Sequence, residues 1–326
     1  MNEYLLCRLI GFILGFLLDT LIGDPKIIPN PMCLLEQLIE KAEKKVRAKY
    51  PSDRNGELKA GRMLVIYVVL PALIIPLALS FAAYLISPVA YVALEAVMCY
   101  YVLTAGSLRK TSIKIYRCLM EKDIEGARSI VSSVVGYDTE ELDEKAIVRI
   151  AVEYVAKNIP GRVVSPVIYA AIGGGVLGFV YRAVNMMDVM IGHRNKKYLF
   201  FGRCAARIDM VLNFIPARIA VFLTVIASYF ADFDAINAMK IYRRDRKKYQ
   251  DMNAGHTVAV CAGAFDITLG GNISSSGQEL ERPVIGDAIR DVELYDIKSV
   301  DKLMYATAII TGILCVAVML VIWKFI

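Results

Sequence analysis

A chain of 326 residues that is 57% hydrophobic, with mean hydropathy +0.50, exceeds the about 45–50% apolar content of soluble domains and points to the membrane. Its net charge of +6 raises the question of a nucleic-acid partner, but there is no binding motif. The Lys and Arg residues instead crowd a few loops, which membrane topology explains, so nucleic acid is set aside as a partner.

Residues 5–22 are apolar apart from Arg8, Asp19 and Thr20 and are long enough to span a bilayer as a helix. The run lacks a small-residue cleavage site and leads directly into Gly23-Asp24-Pro25, so it does not read as a signal peptide. Residues 30–62 form a basic amphipathic connection, helical to about Lys49, with a loop at Pro51-Ser52-Asp53. Residues 63–86, interrupted by Pro71 and Pro76, and 88–103, carrying Glu95, are the next two spans. The pattern over 104–135 predicts a helix, broken at Gly136-Tyr137-Asp138-Thr139; 142–158 predicts a second, ended by Pro160-Gly161.

Two further apolar segments, 163–184 and 210–230, admit two readings. If both spanned, the loop between them, with Arg194, Lys196, Lys197, Arg203 and Arg207, would face outside, against the positive-inside tendency. Pro216 and Arg218 also interrupt the second, which favours helices packed within the protein or dipping into the membrane. Residues 231–302 are polar, Gly- and Ser-rich over 270–277, and read as a cytosolic loop region; 303–325 is the last span. The expected architecture is all-α, one domain over 1–326, a multi-pass protein of the cytoplasmic membrane with four spanning helices. Its basic loops and functional face are cytoplasmic, and the bilayer is its first partner.

Seven cysteines are scattered, never as C-x-x-C, and with only His193 and His256 there is no zinc constellation. Gly173-Gly174-Gly175-Val176-Leu177-Gly178 fits G-x-G-x-x-G by letter but follows no strand, so close helix packing explains it better than a dinucleotide. No phosphate-binding G-x-x-x-x-G-K-S/T motif is present. Asp19 stands near the end of the first span with Asp24 just beyond, a costly place for an acid, so it is functional or a snorkelling or capping group. The densest polar stretch contains Asn185, Asp188, Arg194, Arg207, Asp209, Asn213 and Arg218, with Asp209 and Asn213 four apart on one helical face. Arginines beside carboxylates and amides suit a phosphorylated substrate with magnesium, although spacing alone favours an internal ion-pair network.

These residues bring a family into view. Leu18-Asp19-Thr20-Leu21-Ile22-Gly23-Asp24-Pro25 with Asn30-Pro31, Gly136-Tyr137-Asp138-Thr139, Ala151-Val152-Glu153 and Ala156-Lys157-Asn158 stand in order along the chain. They are followed by Asn185-Met186-Met187-Asp188-Val189-Met190-Ile191-Gly192, then Ala206-Arg207-Ile208-Asp209 with Asn213 and Pro216-Ala217-Arg218, then Asn253-Ala254-Gly255 and Leu269-Gly270-Gly271. Over essentially its whole length the chain resembles the CobD/CbiB family of cobalamin-biosynthesis membrane proteins. The resemblance implies adenosylcobinamide-phosphate synthase activity: ATP and magnesium activate a carboxylate of adenosylcobyric acid, a corrinoid, and the amine of aminopropanol phosphate or ethanolamine phosphate forms the amide. It implies catalytic roles for Asp19, Asp24, Asp188 and Asp209, the last two holding the metal. It implies substrate contacts from Asp138, Asn158, Asn185, Arg194, Arg207, Asn213, Arg218, Asn253 and Gly255, and other cobalamin-pathway enzymes or a second copy of the chain as further partners. The chain departs from the family pattern at Asn30 (His), Tyr137 (Arg), Lys157 (Glu), Gly161 (Asp) and Met210 (Asp). These departures keep a non-catalytic scaffold or regulator, like AmpE-type proteins, as the alternative. A transporter fits less well, since only Glu95 sits at mid-membrane. The four named acids are expected to line one cavity.

Overall fold

The computed structural model describes residues 2–23, 30–135, 139–193, 195–275 and 278–325. They form two compact units: Met1–Thr104, Pro166–Ile215 and Gly312–Ile326 make the first, Ala105–Ser165 and Pro216–Thr311 the second.

In the first unit, α1 (Asn2–Ile22) stops where Gly23 enters the left-handed region (φ 67°) and returns its N–H to the Asp19 carbonyl at 3.0 Å. α2 (Pro31–Lys49) starts on an Asn30 side-chain cap to the Met32 N–H, with Pro31 at its first position. α3 (Arg54–Ile86) is capped by Asp53, and α4 (Pro88–Val102) by Ser87, the single residue between them. α4 lies against α1 because Gly11 and Gly15 leave room: a Cβ on either would stand within 2.7 Å of Glu95 or of the Ala96 carbonyl.

α8 (Ser165–Ile191) is one run by hydrogen bonding, yet Gly173 (φ −128°, ψ 18°) and Gly174 (φ 68°, ψ −166°) leave helical geometry. Beyond the break, Gly175 and Gly178 face Met98 and Val102 of α4, the close packing expected of the glycine run. α9 (Arg203–Leu212) and α10 (Phe214–Phe230) meet at a 47° bend. Among the described residues, five helical runs are long and apolar enough to cross a membrane, or six with the bent pair counted as one. The fold is that of an all-α polytopic membrane protein. Both segments that admitted two readings are broken, 163–184 at the glycines and 210–230 near its start, at the α9–α10 bend. Neither is a straight rod.

The second unit holds α5 (Ala105–Met120), α6 (Ile124–Val135) and α7 (Glu144–Asn158), then a π-helical segment (Ile159–Val164), α10 from Pro216 onward, α11 (Ala235–Asp245), α12 (Met252–Ala264) and the start of α13 (Asp296–Phe325). Three sequence expectations are corrected here. The single helix over 104–135 is two, because Lys122 adopts φ 61° and Asp123 caps the next helix through the Gly126 N–H. α7 ends at Asn158 as expected, but Pro160-Gly161 does not turn the chain out of helical structure; the π-helical turn carries it through into α8. Residues 231–302 are not a loop region: α11 and α12 lie there, with two small antiparallel ladders, Leu269–Gly270 on Val284–Ile285 and Ile273–Ser275 on Gln278–Leu280. α12 escaped notice because every residue from Asn253 to Ala264 is buried, leaving no polar face for periodicity to reveal.

Candidate functional site

Within the first unit, five buried side chains from two segments form a hydrogen-bonded chain. Arg182 Nη1 donates to Asn185 Oδ1 at 3.1 Å, and Asn185 Nδ2 donates to Asp209 Oδ1 at 3.1 Å. Asn213 Nδ2 donates to the other Asp209 oxygen at 2.9 Å, and the Tyr181 hydroxyl donates to Asn213 Oδ1 at 2.8 Å. Exposure falls from 9% at Asp209 to 1% at Tyr181. The sequence spacing works as expected: Asn213 caps the end of α9, one turn beyond Asp209. Each carboxylate oxygen of Asp209 accepts one side-chain amide N–H.

Asp188 lies on the same α8 arm, half-buried, its carboxylate over Gly192, where a Cβ would come within 2.0 Å of Oδ1. Asp19 is 6% exposed at the end of α1. Leu18, Met187 and Ile208, the chain neighbours of Asp19, Asp188 and Asp209, pack into one apolar cluster of this unit. Arg207 is exposed, two residues from Asp209 and hence on another face of α9. Asp24, Asp138 and Arg194 lie outside the described residues.

The second unit builds its own polar centre, around a residue that reasoning from sequence did not select. Glu153 of α7 is buried; Oε1 accepts from the Tyr249 hydroxyl at 2.8 Å and from Arg282 Nη2, and Oε2 from the Gly270 N–H at 3.3 Å. Gly270 adopts φ 74°, so a side chain there would be strained. The Ala151-Val152-Glu153 and Leu269-Gly270-Gly271 motifs therefore meet. So do two others: Arg218 Nη1 donates to Asn253 Oδ1 at 3.1 Å, while Asp251 caps α12 through the Asn253 and Ala254 N–H groups. Gly255 admits Tyr249 and the Arg246 carbonyl, which a Cβ would crowd at 2.7 and 2.9 Å. Asn158 turns its amide onto the Tyr154 carbonyl at 2.7 Å. His256 is 8% exposed, and burial, then Arg218 and Arg246, press its pKa down to about 4 against the opposing pull of Asp251.

Arg182 and Tyr181 also escaped selection. The signal was present: an arginine inside the apolar run 163–184 is as unusual as Asp19 and warranted the same suspicion. For a metal, the donor chemistry is all oxygen. Among the described residues no three His, Cys, Asp or Glu side chains come together, so a magnesium ion here would rely on one or two carboxylates and on substrate phosphate and water oxygens, its usual habit.

Fold and site define a polytopic α-helical membrane protein whose motif residues, far apart in sequence, converge pairwise within each unit. The chain matches the family profile described as CobD/Cbib protein over residues 12–304, and it belongs to that family. It is 36% identical over 296 residues to "Cobalamin biosynthesis protein CobD" of Clostridium perfringens, covering 91% of this chain and 93% of that protein. The protein of the same name from Leptospira interrogans is 34% identical over 304 residues (93% and 95% covered), and that of Clostridium acetobutylicum 33% over 310 residues (95% and 98%). No solved structure is a significant match.

Proposed function

We propose that this protein acts in cobalamin biosynthesis as an amide-forming ligase, joining adenosylcobyric acid to aminopropanol phosphate or ethanolamine phosphate at the expense of ATP. The observation that carries this reading is the convergence of family motifs: Asn185 with Asp209 and Asn213, and Arg218 with Asn253. Family membership and the names of the relatives support the pathway. The functional face is the cytoplasmic side of the cell membrane, where the basic loops belong.

Phosphoryl transfer from ATP to the corrinoid carboxylate gives an acyl phosphate; the amine then attacks the acyl carbon, phosphate leaves, and the amine gives up a proton. Magnesium, when bound, neutralises charge on the transferring phosphoryl group. Asp188, on the half-buried end of the α8 arm, and Asp209 are the carboxylates that would hold it. Asn185 and Asn213 fix the Asp209 carboxylate so that no reorganisation is needed when charge develops. Arg182 supplies a buried positive charge beside Asn185. Arg194, Arg207 and Arg218 contact the anionic groups of the substrates, Arg218 while oriented by Asn253. Asp19 and Asp24 take part in catalysis, and Asp138, Asn158 and Gly255 contact substrate.

Complementation tests the proposal. A strain unable to make the amide should regain cobalamin synthesis with the wild-type gene when either amine is supplied, and should not with Asp209→Asn. Failure of the well-expressed wild-type protein with both amines would instead favour the non-catalytic scaffold.

A further inference from the structure

The break in α8 separates two backbone groups that would otherwise bond. In an uninterrupted helix the Ala171 carbonyl accepts from the Gly175 N–H. Here each finds a charged side chain from a different helix. The Gly175 N–H donates to Glu95 Oε1 of α4 at 2.9 Å, and Arg8 Nη2 of α1 donates to the Ala171 carbonyl at 3.1 Å. Such substitution is what a helix break at membrane depth requires, because no water is there to satisfy the freed groups. The glycines make it sterically possible. A Cβ on Gly174 would stand 2.4 Å from Glu95 Oε1, and one on Gly11 would stand 2.7 Å from Glu95 Cβ.

The break has a consequence at the candidate site. Tyr169 and Tyr181 stack with ring centroids 4.8 Å apart and planes 14° from parallel. On a straight helix, residues twelve apart are separated by about 18 Å along the axis, too far for their rings to meet. α8 therefore folds sharply at the glycines, and its two arms meet the end of α9 side by side: the Tyr169 hydroxyl donates to the Leu212 carbonyl at 2.9 Å, and Tyr181 to Asn213. The returning arm carries Arg182, Asn185 and Asp188.

An acid at this depth is a functional candidate by default, and an ion pathway is the usual alternative. Glu95 does not sit on one. It is 1% exposed, enclosed by Gly11, Cys99, Gly174 and Gly175, and its Oε2 has no hydrogen-bond partner among the described residues. Only the oxygen that meets the Gly175 N–H is used as a cap.

We propose that Glu95 and Arg8 are positioning residues that hold the α8 break from its two sides and thereby set where Asn185 and Arg182 meet Asp209. The kinetic arm of the test rests on the ligase reading above; the structural arm does not. Protein in lipid nanodiscs is compared as wild type, Glu95→Gln, Glu95→Leu and Arg8→Met, with kcat expressed per folded molecule. Glutamine keeps the Oε1 acceptor and replaces only the idle oxygen, so its kcat should stay within about threefold of wild type. Leucine and Arg8→Met should lower kcat about tenfold or more, the scale of a displaced catalytic group. In parallel, cysteines placed at 169 and 181 in a background without the native cysteines report the fold-back through a short bismaleimide. Cross-linking should occur with Glu or Gln at 95 and be lost with Glu95→Leu and Arg8→Met. Unchanged kcat in the folded Glu95→Leu protein, or its undiminished cross-linking, overturns the proposal. So does failure of both Glu95→Leu and Arg8→Met to fold, which would make the pair a stability element only. If wild type forms no amide but cross-linking follows the pattern above, the ligase reading falls and the positioning role stands.

Discussion

Asn185 and Asp209 stand twenty-four residues apart in sequence and share a hydrogen bond of 3.1 Å in the interior of the first unit. With Asn213 on the other oxygen, Asp209 is surrounded by donors, so Asp209→Asn has two effects. It places an amide N–H against a buried donor, which costs about 1–3 kcal/mol of stability. On the proposed ligase reading it also removes charge that would stabilise phosphoryl transfer, worth about 3–4 kcal/mol or a few hundredfold in rate. Thermal unfolding and turnover of the folded fraction separate the two; a variant with wild-type turnover would remove Asp209 from the chemistry.

Glu153 is the hub of the second unit. Glu153→Ala leaves Arg282, the Tyr249 hydroxyl and the Gly270 N–H without their acceptor. Breaking a buried pair in this way costs about 3–5 kcal/mol. A clear fall in unfolding temperature and faster proteolysis within 269–285 are expected. Unaltered stability would show that the hub is dispensable.

His256 gives the protein a specific acid sensitivity. Its pKa is pushed down to about 4 from 6.5, first by burial and then by Arg218 and Arg246, so the folded form binds fewer protons than the unfolded form between those values. Stability is therefore full above about pH 6.5 and declines as pH falls toward 4. Unfolding midpoints measured from pH 7.5 to 4.5 should fall more steeply for wild type than for His256→Gln. Equal slopes would contradict this account.

Sequence and structure agree where local chemistry is decisive. The helix expected from residue 30 to about Lys49 and the loop at Pro51-Ser52-Asp53 are both found, the first starting on an Asn30 cap and the loop closed by Asp53 capping α3. The glycine run was legible as a packing surface, but its break was not, because the groups that stabilise it, Arg8 and Glu95, come from distant helices. Density of polar residues located Asn185, Asp209 and Asn213. It missed Glu153, whose partners arrive from 249, 270 and 282, a convergence no local pattern encodes.

Sidedness follows from contacts within the first unit. Arg47 Nη2 of α2 donates to the Lys197 carbonyl at 3.1 Å and its guanidinium lies over the Phe201 ring at 4.0 Å. The 195–201 segment therefore shares a membrane side with α2. Single cysteines at Lys45 and Lys197 should react with an impermeant maleimide only from the cytoplasmic side. Labelling from opposite sides would contradict the one-sided arrangement of basic loops.

The most direct measurement is amide formation by the purified protein in nanodiscs with adenosylcobyric acid, ATP, magnesium and aminopropanol phosphate or ethanolamine phosphate. The account predicts adenosylcobinamide phosphate, or its ethanolamine counterpart, formed in step with ATP consumption and reduced a few hundredfold by Asp209→Asn. Folded wild-type protein that consumes no ATP and forms no amide with either amine would contradict it.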